Sequence, residues 1–320
     1  MKRTNIVLLI CLSAAVAGVS TASLQQRQGV AVHHSPEPGV PPQQASLPPA
    51  NPAGRRYPAV PRDPAATARL LEAVEGRLRD PTTAADALPD LGHQQQVIYR
   101  VLSQAAERSD AVRAHLSRPW QAVFDHHIGA RRELLAMHRG GPGLTSIPPW
   151  RIIEPEQAPQ LLAHYRKAES ATGIPWQVLA GVNLVETGMG RIDGLSVSGA
   201  RGPMQFLPTT WAERGIGAGS IDDPHDAIQA AARYLVRRGG LLDIRKGLWG
   251  YNNSDNYGRA VLHYAALLEQ DPRAFQGLYH WEIHVRTEAG DLWLPVGFET
   301  QQPLPVSTYL QQAPWSAPPP

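Results

Sequence analysis

Apolar positions between residues 65 and 138 recur at helical spacing. Leu70, Leu71, Val74 and Leu78 form one stripe, Val97, Ile98, Val101 and Leu102 a second, and Val112 and Leu116 lead into Trp120, Val123 and Phe124 beyond Pro119. Residues three and four apart share a helix face, so the pattern predicts a small helical bundle. Gly140 to Pro149 is rich in glycine and proline and marks a domain boundary.

Past that break the helical signals sharpen. A helix over about 155–171 puts Leu161, Tyr165 and Ala168 on one side, and Gly173 is placed to end it in a left-handed cap. The next opens with Pro175 in its first turn and runs to about Thr187. Asp223-Pro224 supplies a side-chain cap and a first-turn proline to a third, with Ile228, Ala231, Ala232 and Leu235 as its stripe and Gly239 as its stop. A fourth, over about 255–269, carries Tyr257, Val261, Tyr264 and Leu268 at helical spacing. Then the period drops to two. Trp281, Ile283 and Val285, a turn at Ala289-Gly290-Asp291, and Leu292, Leu294 and Val296 predict a small β-hairpin.

The ends of the chain read differently. Lys2 and Arg3 precede an apolar run from Ile6 to Val19 and small residues at Ser20-Thr21-Ala22, the layout of a signal peptide cut after Ala22. The run is shorter than the roughly 20 apolar residues of a membrane-spanning helix, so no stable span is expected. The expected location is outside the cytoplasm: secreted, extracellular or cell-envelope associated, in the periplasm where an outer membrane exists. The one cysteine, Cys11, lies inside this run behind Leu9-Ile10, which argues against lipid attachment and leaves the mature chain without disulfides. Residues 23–64 read as a linker, with proline recurring from Ser35 to Pro64, and the tail over 301–320 as proline-rich and disordered. A net charge of +2 carries no concentrated basic stripe and excludes nucleic acid as a partner.

One carboxylate stands out. Glu186 falls four residues after Val182 and seven after Leu179, on their apolar face. Burial disfavours the charged form and raises a carboxyl pKa, which would keep a proton available for a leaving oxygen. From helix position alone, a cap or a salt bridge to a neighbouring loop explains the residue equally well. The loop Ser196 to Phe206 has glycines that let backbone turn tightly near a ligand and ends in the Met204-Gln205-Phe206 group. Gly250-Tyr251-Asn252-Asn253 places a phenol beside two amides, a set suited to a sugar, although Tyr251 alone reads as readily as core.

Glu186-Thr187, the glycine loop ending in Met204-Gln205, and Tyr251-Asn252, in that order on a helical background, resemble the soluble lytic transglycosylases. Their catalytic domain is related to goose-type lysozyme. The resemblance covers residues 150 to 270. It implies a lysozyme-like helical catalytic domain and, with the elements read above, a mainly α protein: that domain over 148–300 with a small β-hairpin after its helices, preceded by a helical N-terminal region over 65–140 and the proline-rich linker. It implies cleavage of peptidoglycan glycan strands between N-acetylmuramic acid and N-acetylglucosamine, with Glu186 as sole acid and base. Gln205 and Tyr251 would orient it and the sugar, Ser196 would contact the N-acetyl group, and Asn252 would bind substrate. The family commonly has serine where this chain has Thr187 and alanine where it has Gly250.

Ordinary glycosidases flank the bond with two carboxylates, whereas substrate-assisted enzymes let the sugar supply the second group. No second carboxylate falls within these motifs, and Asp193, Asp222, Asp223 and Asp226 read as turn or cap residues. The expected product is therefore a 1,6-anhydro end. Two other readings compete: a water-using muramidase of the same fold, and a non-catalytic wall-binding or scaffold protein. Residues 65–140 are the region expected to dock a cell-wall or divisome protein. No cofactor and no metal is expected, since adjacent His126 and His127 diverge on a helix and the calcium-like Asn252, Ser254, Asn256 series has His263 at its twelfth position.

Overall fold

The structure, a computed structural model, describes residues 48–137 and 143–319. Residues 1–22, where a signal peptide is expected, Cys11 among them, and most of the proline-rich segment lie outside the described residues. Four helices come first: α1 (Pro64–Arg79), α2 (Leu88–Ser103), α3 (Ala106–His115) and α4 (Arg118–Met137). Two short strands follow, β1 (Ser146–Ile147) and β2 (Arg151–Ile152), then α5 (Ala158–Thr172), α6 (Trp176–Thr187) and β3 (Ile192–Asp193). The chain continues through α7 (Pro208–Trp211), α8 (Pro224–Arg237), α9 (Ile244–Asn252), α10 (Asp255–Gln270) and α11 (Ala274–Tyr279). It ends with the hairpin β4 (Ile283–Thr287) and β5 (Gly290–Leu294), strand β6 (Leu304–Pro305) and α12 (Val306–Gln312).

The predicted helix signals operate as local chemistry. Asp223 accepts from the Asp226 amide at 2.9 Å, capping α8 with Pro224 as its first residue. Gly173 sits at φ +80° and closes α5. Pro175 is the N-cap of α6 and so lies one residue ahead of the first turn. The hairpin pairs Ile283 with Leu294 and Val285 with Leu292, which places the alternating apolar side chains on one face.

Three expectations are corrected. The break near residue 140 does not separate two cores: Ile98, Phe124 and Ile128 share one apolar cluster with Leu179, Val261 and Tyr264. Helix α4 lies antiparallel along α10, held by Glu133 to Arg259 at 2.8 Å and to Asn256 at 2.8 Å, so both helices lose their apolar stripes to each other. The described part of the linker is also docked. Tyr57 is buried against Val97 and Trp293, its hydroxyl donates to Asp291 at 3.1 Å, and Arg55 bridges Asp90 and Glu282 at 2.7 and 2.5 Å. A proline-rich composition limits regular structure without preventing an aromatic anchor from burying. The tail is ordered for the same reason: Val306, Tyr309 and Ala313 are buried with Ile147, Ile152 and the hairpin, and Tyr309 donates to the Trp293 carbonyl at 2.7 Å.

Buried polar side chains fix this packing. Glu75 is fully buried and accepts from Tyr99 at 2.6 Å, from Gln95 at 2.8 Å and from Arg79, while Trp281 donates to Gln95 at 2.8 Å. A buried carboxylate with that many donors is satisfied in place: removing Arg79 would take away its counter-charge, and removing Tyr99 or Gln95 one of its hydrogen bonds. His127 stacks on Tyr99 inside α4, whereas His126 faces His263 and Gln270.

Candidate active site

Every residue of α6 from Val178 to Thr187 is buried, so this helix runs through the core with no solvent face. Glu186 is the carboxylate in that run, 2 % exposed and one residue from the helix end. Two features oppose its ionisation: loss of hydration, and the negative end of the helix dipole. Burial raises its pKa from 4.5 to about 8, with a hydrogen bond from Tyr257 pulling the other way. That bond, from the Tyr257 hydroxyl to Oε1, is 2.7 Å long. The second oxygen, Oε2, is buried without a hydrogen-bond partner among the described residues. Near neutral pH the side chain is thus a carboxylic acid with one oxygen anchored and one unengaged.

Tyr257 comes from α10, whose N-terminus is capped by the Ser254 hydroxyl accepting from the Tyr257 amide at 3.2 Å. Tyr251 lies on α9, its ring parallel to that of Tyr257 with centroids 6.3 Å apart. Burial and the nearby Glu186 push both phenols well above their ordinary range, so both stay neutral donors. The Tyr251 hydroxyl donates to the Met204 carbonyl at 2.8 Å.

The glycine loop folds as a tight turn against the end of α6. Arg201 and Phe206 exchange backbone hydrogen bonds at 2.9 and 3.0 Å, and the Gln205 amide closes a turn on the Gly202 carbonyl at 3.0 Å. Gly202 has φ +74°, and a Cβ there would sit 2.0 Å from the Ile221 carbonyl oxygen, so both conformation and space require glycine. The Pro203 carbonyl accepts from Thr187 Oγ1 at 2.6 Å and from Asn183 Nδ2 at 2.7 Å, and Asn183 Oδ1 accepts from Tyr165 at 2.6 Å. Three successive carbonyls, those of Gly202, Pro203 and Met204, are therefore claimed. The turn holds Gln205 at φ +49°, an uncommon conformation for a residue with a side chain, at the kind of place where such strain collects.

The structure brings Glu186, Tyr251 and the Gln205 turn into one buried assembly but distributes the work differently from the sequence expectation. Neither Gln205 nor Tyr251 orients the carboxyl. Gln205 Nε2 donates to the carbonyls of Gly202 and Gly194, at 3.1 and 3.4 Å, and Tyr251 is committed to Met204. The orienting phenol is Tyr257, which the sequence reading placed only in an apolar stripe. A tyrosine on a buried stripe opposite a buried acid needs a partner for its hydroxyl, and that requirement was the available signal.

Ser196 is buried and its Oγ accepts from the Ala200 and Ser198 amides, at 2.9 and 3.2 Å, which stitches its own loop. Leu195 and Val197 on either side are 60 % and 65 % exposed. Asn252, beside Tyr251, is buried with Nδ2 lacking a hydrogen-bond partner among the described residues. The two family departures have local reasons. Thr187 supplies the hydroxyl that holds Pro203, and a Cβ at Gly250 would lie 2.8 Å from both Cβ and Cγ of Arg238.

Among the described residues no other acidic side chain shifts Glu186, which burial moves one way and Tyr257 the other. Asp193 pairs with Arg151 and Asp222 with Arg201, Asp223 caps α8, and Asp226 accepts from the Ser220 amide at 2.9 Å. Asp223, His225 and Asp226 bring ligand atoms within 4.8 Å of one another, at the surface, with both carboxylates already engaged in these caps. The groove of about 490 Å³ lined by Arg245, Ser254, Asp255, Gly258, Arg259, Leu262 and His263 contains none of the candidate site residues.

The helical fold thus buries the protonated carboxyl of Glu186 in one assembly with the strained Gln205 turn. Residues 164–268, a third of the chain, match the family model of the transglycosylase SLT domain, consistent with the resemblance to soluble lytic transglycosylases over that stretch. That domain indicates lytic-transglycosylase-type cleavage of peptidoglycan. No curated protein matches the chain, and no solved structure does.

Proposed function

We propose that the protein is a peptidoglycan lytic transglycosylase in which Glu186 is the single acid and base. Glu186 gives its proton to the glycosidic oxygen between N-acetylmuramic acid and N-acetylglucosamine, and the N-acetylglucosamine leaves as its 4-hydroxyl. The N-acetyl carbonyl oxygen of the muramic residue stabilises the anomeric carbon. Glu186 then takes the proton of the 6-hydroxyl as that oxygen bonds to the anomeric carbon, giving a 1,6-anhydro end. One bond breaks, one forms, and no water is consumed.

The observation that carries this reading is the state of Glu186: protonated near neutrality, one oxygen anchored by Tyr257, the other unengaged. A raised pKa suits the first step, and a phenolic hydrogen bond that favours the carboxylate suits the second. The absence of any other carboxylate acting on Glu186 among the described residues supports substrate assistance over the two-carboxylate scheme. In this scheme Tyr257 positions the acid, Asn252 and Tyr251 meet the sugar, and Ser196 and Gln205 line the N-acetyl side.

Action on wall requires export, for which the leader read in residues 1–22 would serve. The N-terminal helices spend their apolar stripes on one another, on α10 and on α11, which favours a bracing role over capture of a cell-wall or divisome protein. Purified wall digested by the protein should yield anhydro-ended muropeptides. Reducing ends alone would assign a muramidase instead, and binding without cleavage a scaffold.

A further inference from the structure

Six large apolar side chains stand more than a third exposed among the described residues, and three of them, Leu241, Leu242 and Trp249, fall within nine residues. They are 55 %, 97 % and 50 % exposed. Leu241 and Leu242 form the turn between α8 and α9, and Trp249 lies on α9. Within α9, Arg245, Lys246 and Trp249 are exposed at helical spacing while Gly247, Leu248 and Tyr251 are buried, and the exposed Leu241 and Leu242 lie in the turn just ahead of the helix.

The surface is basic. From Arg237 to Trp249 the chain has Arg237, Arg238, Arg245 and Lys246 against one acid, Asp243, which caps α9 by accepting from the Arg245 amide at 3.0 Å. Arg237 is paired with Glu213, and Arg238 lies on Tyr234. The side chains of Arg245 and Lys246 are exposed and make no ion pair or hydrogen bond among the described residues; Arg245 and Asp255 line the same groove. Leu242, held almost wholly in water, has almost no packing in this fold.

We propose that the α8–α9 turn and the outward face of α9 dock the protein on an anionic lipid surface. Leucine and tryptophan enter the boundary between headgroups and acyl chains, and the two free cations meet lipid phosphates. A hydrated polyanionic polymer would satisfy the cations but would offer no apolar phase to Leu242. Among the described residues no helix is long and apolar enough to cross a membrane, so the attachment is peripheral. The inward face of α9 carries Tyr251 and Asn252, which ties the docked face to the candidate site by a single rigid element.

The test is sedimentation of the full chain with vesicles of phosphatidylglycerol and phosphatidylcholine in equal parts, and with phosphatidylcholine alone. Wild type should bind the anionic vesicles, more weakly as salt rises, and not the neutral ones. Arg245→Gln/Lys246→Gln should weaken binding at least about tenfold, at the contribution usual for a basic residue near such a surface. Leu242→Ser, at a site with almost no packing to lose, should do likewise, whereas Val296→Ser should bind as wild type. Circular dichroism and wall clearing should be unchanged in all three variants. No binding of wild type to anionic vesicles, or undiminished binding by the variants, overturns the proposal. Loss of binding to purified wall in these variants, without any vesicle binding, assigns the face to a wall polymer and overturns it as well.

Discussion

The hydroxyl of Tyr257 lies 2.7 Å from Oε1 of Glu186, joining the N-terminal turn of α10 to the last turn of α6 inside the core. This bond favours the carboxylate, while burial favours the acid more strongly. Tyr257→Phe should therefore raise the Glu186 pKa further, move the alkaline limb of the rate profile to higher pH, and lower kcat by about tenfold through a less well held acid. An unmoved limb would show that the phenol does not reach the carboxyl during catalysis.

The raised pKa also makes a statement about stability. The folded protein holds a proton on Glu186 between pH 4.5 and about 8 that the unfolded chain releases. Stability from this group is full below the unfolded value and is lost as pH rises through the folded one, at about 1.4 kcal/mol per pH unit across that window. Glu186→Gln removes the penalty, so its melting temperature should exceed that of wild type by a margin that grows from pH 4.5 to 8. Equal margins at both ends would contradict a buried acid.

The Gln205 turn is held by bonds that can be cut singly. Thr187→Val should cost about 1–2 kcal/mol in urea unfolding and reduce kcat, while Thr187→Ser should restore both. Gly202→Ala meets the Ile221 carbonyl and should cost more than about 3 kcal/mol, whereas Gly199→Ala, with no atom within 4 Å of its Cβ, should cost only the backbone strain of about 1 kcal/mol.

Tyr57 distinguishes a docked segment from a tether. Tyr57→Ala should destabilise by about 3–4 kcal/mol, since it empties a buried site between Val97 and Trp293 and removes a donor from Asp291. A loose linker would give no change in melting temperature.

Much of the fold was legible because the signals were local. Asp223-Pro224, Gly173 and the alternation in 281–296 each specify their element without help from distant residues. Helix α9 was missed because Gly247 and Gly250 weaken its local pattern; a Cβ at Gly247 would sit 2.7 Å from Gly240 Cα, so the glycine answers to packing that sequence does not display. The linker and tail were read from proline content, yet Tyr57 and Tyr309 anchor them by burial, a tertiary effect. Among the site residues, Glu186 was legible as an acid on an apolar face. Its partner was not, because Tyr257 and Tyr251 carry the same chemistry six residues apart and only the helix orientations decide which phenol meets the carboxyl.

Mass spectrometry of purified peptidoglycan incubated with wild type and with Glu186→Gln bears most directly on the central claim. Wild type is predicted to release muropeptides ending in 1,6-anhydro-N-acetylmuramic acid, and the variant, equally folded and equally able to bind wall, to release none. Anhydro products from Glu186→Gln at an undiminished rate would contradict the assignment of that side chain as the acid and base.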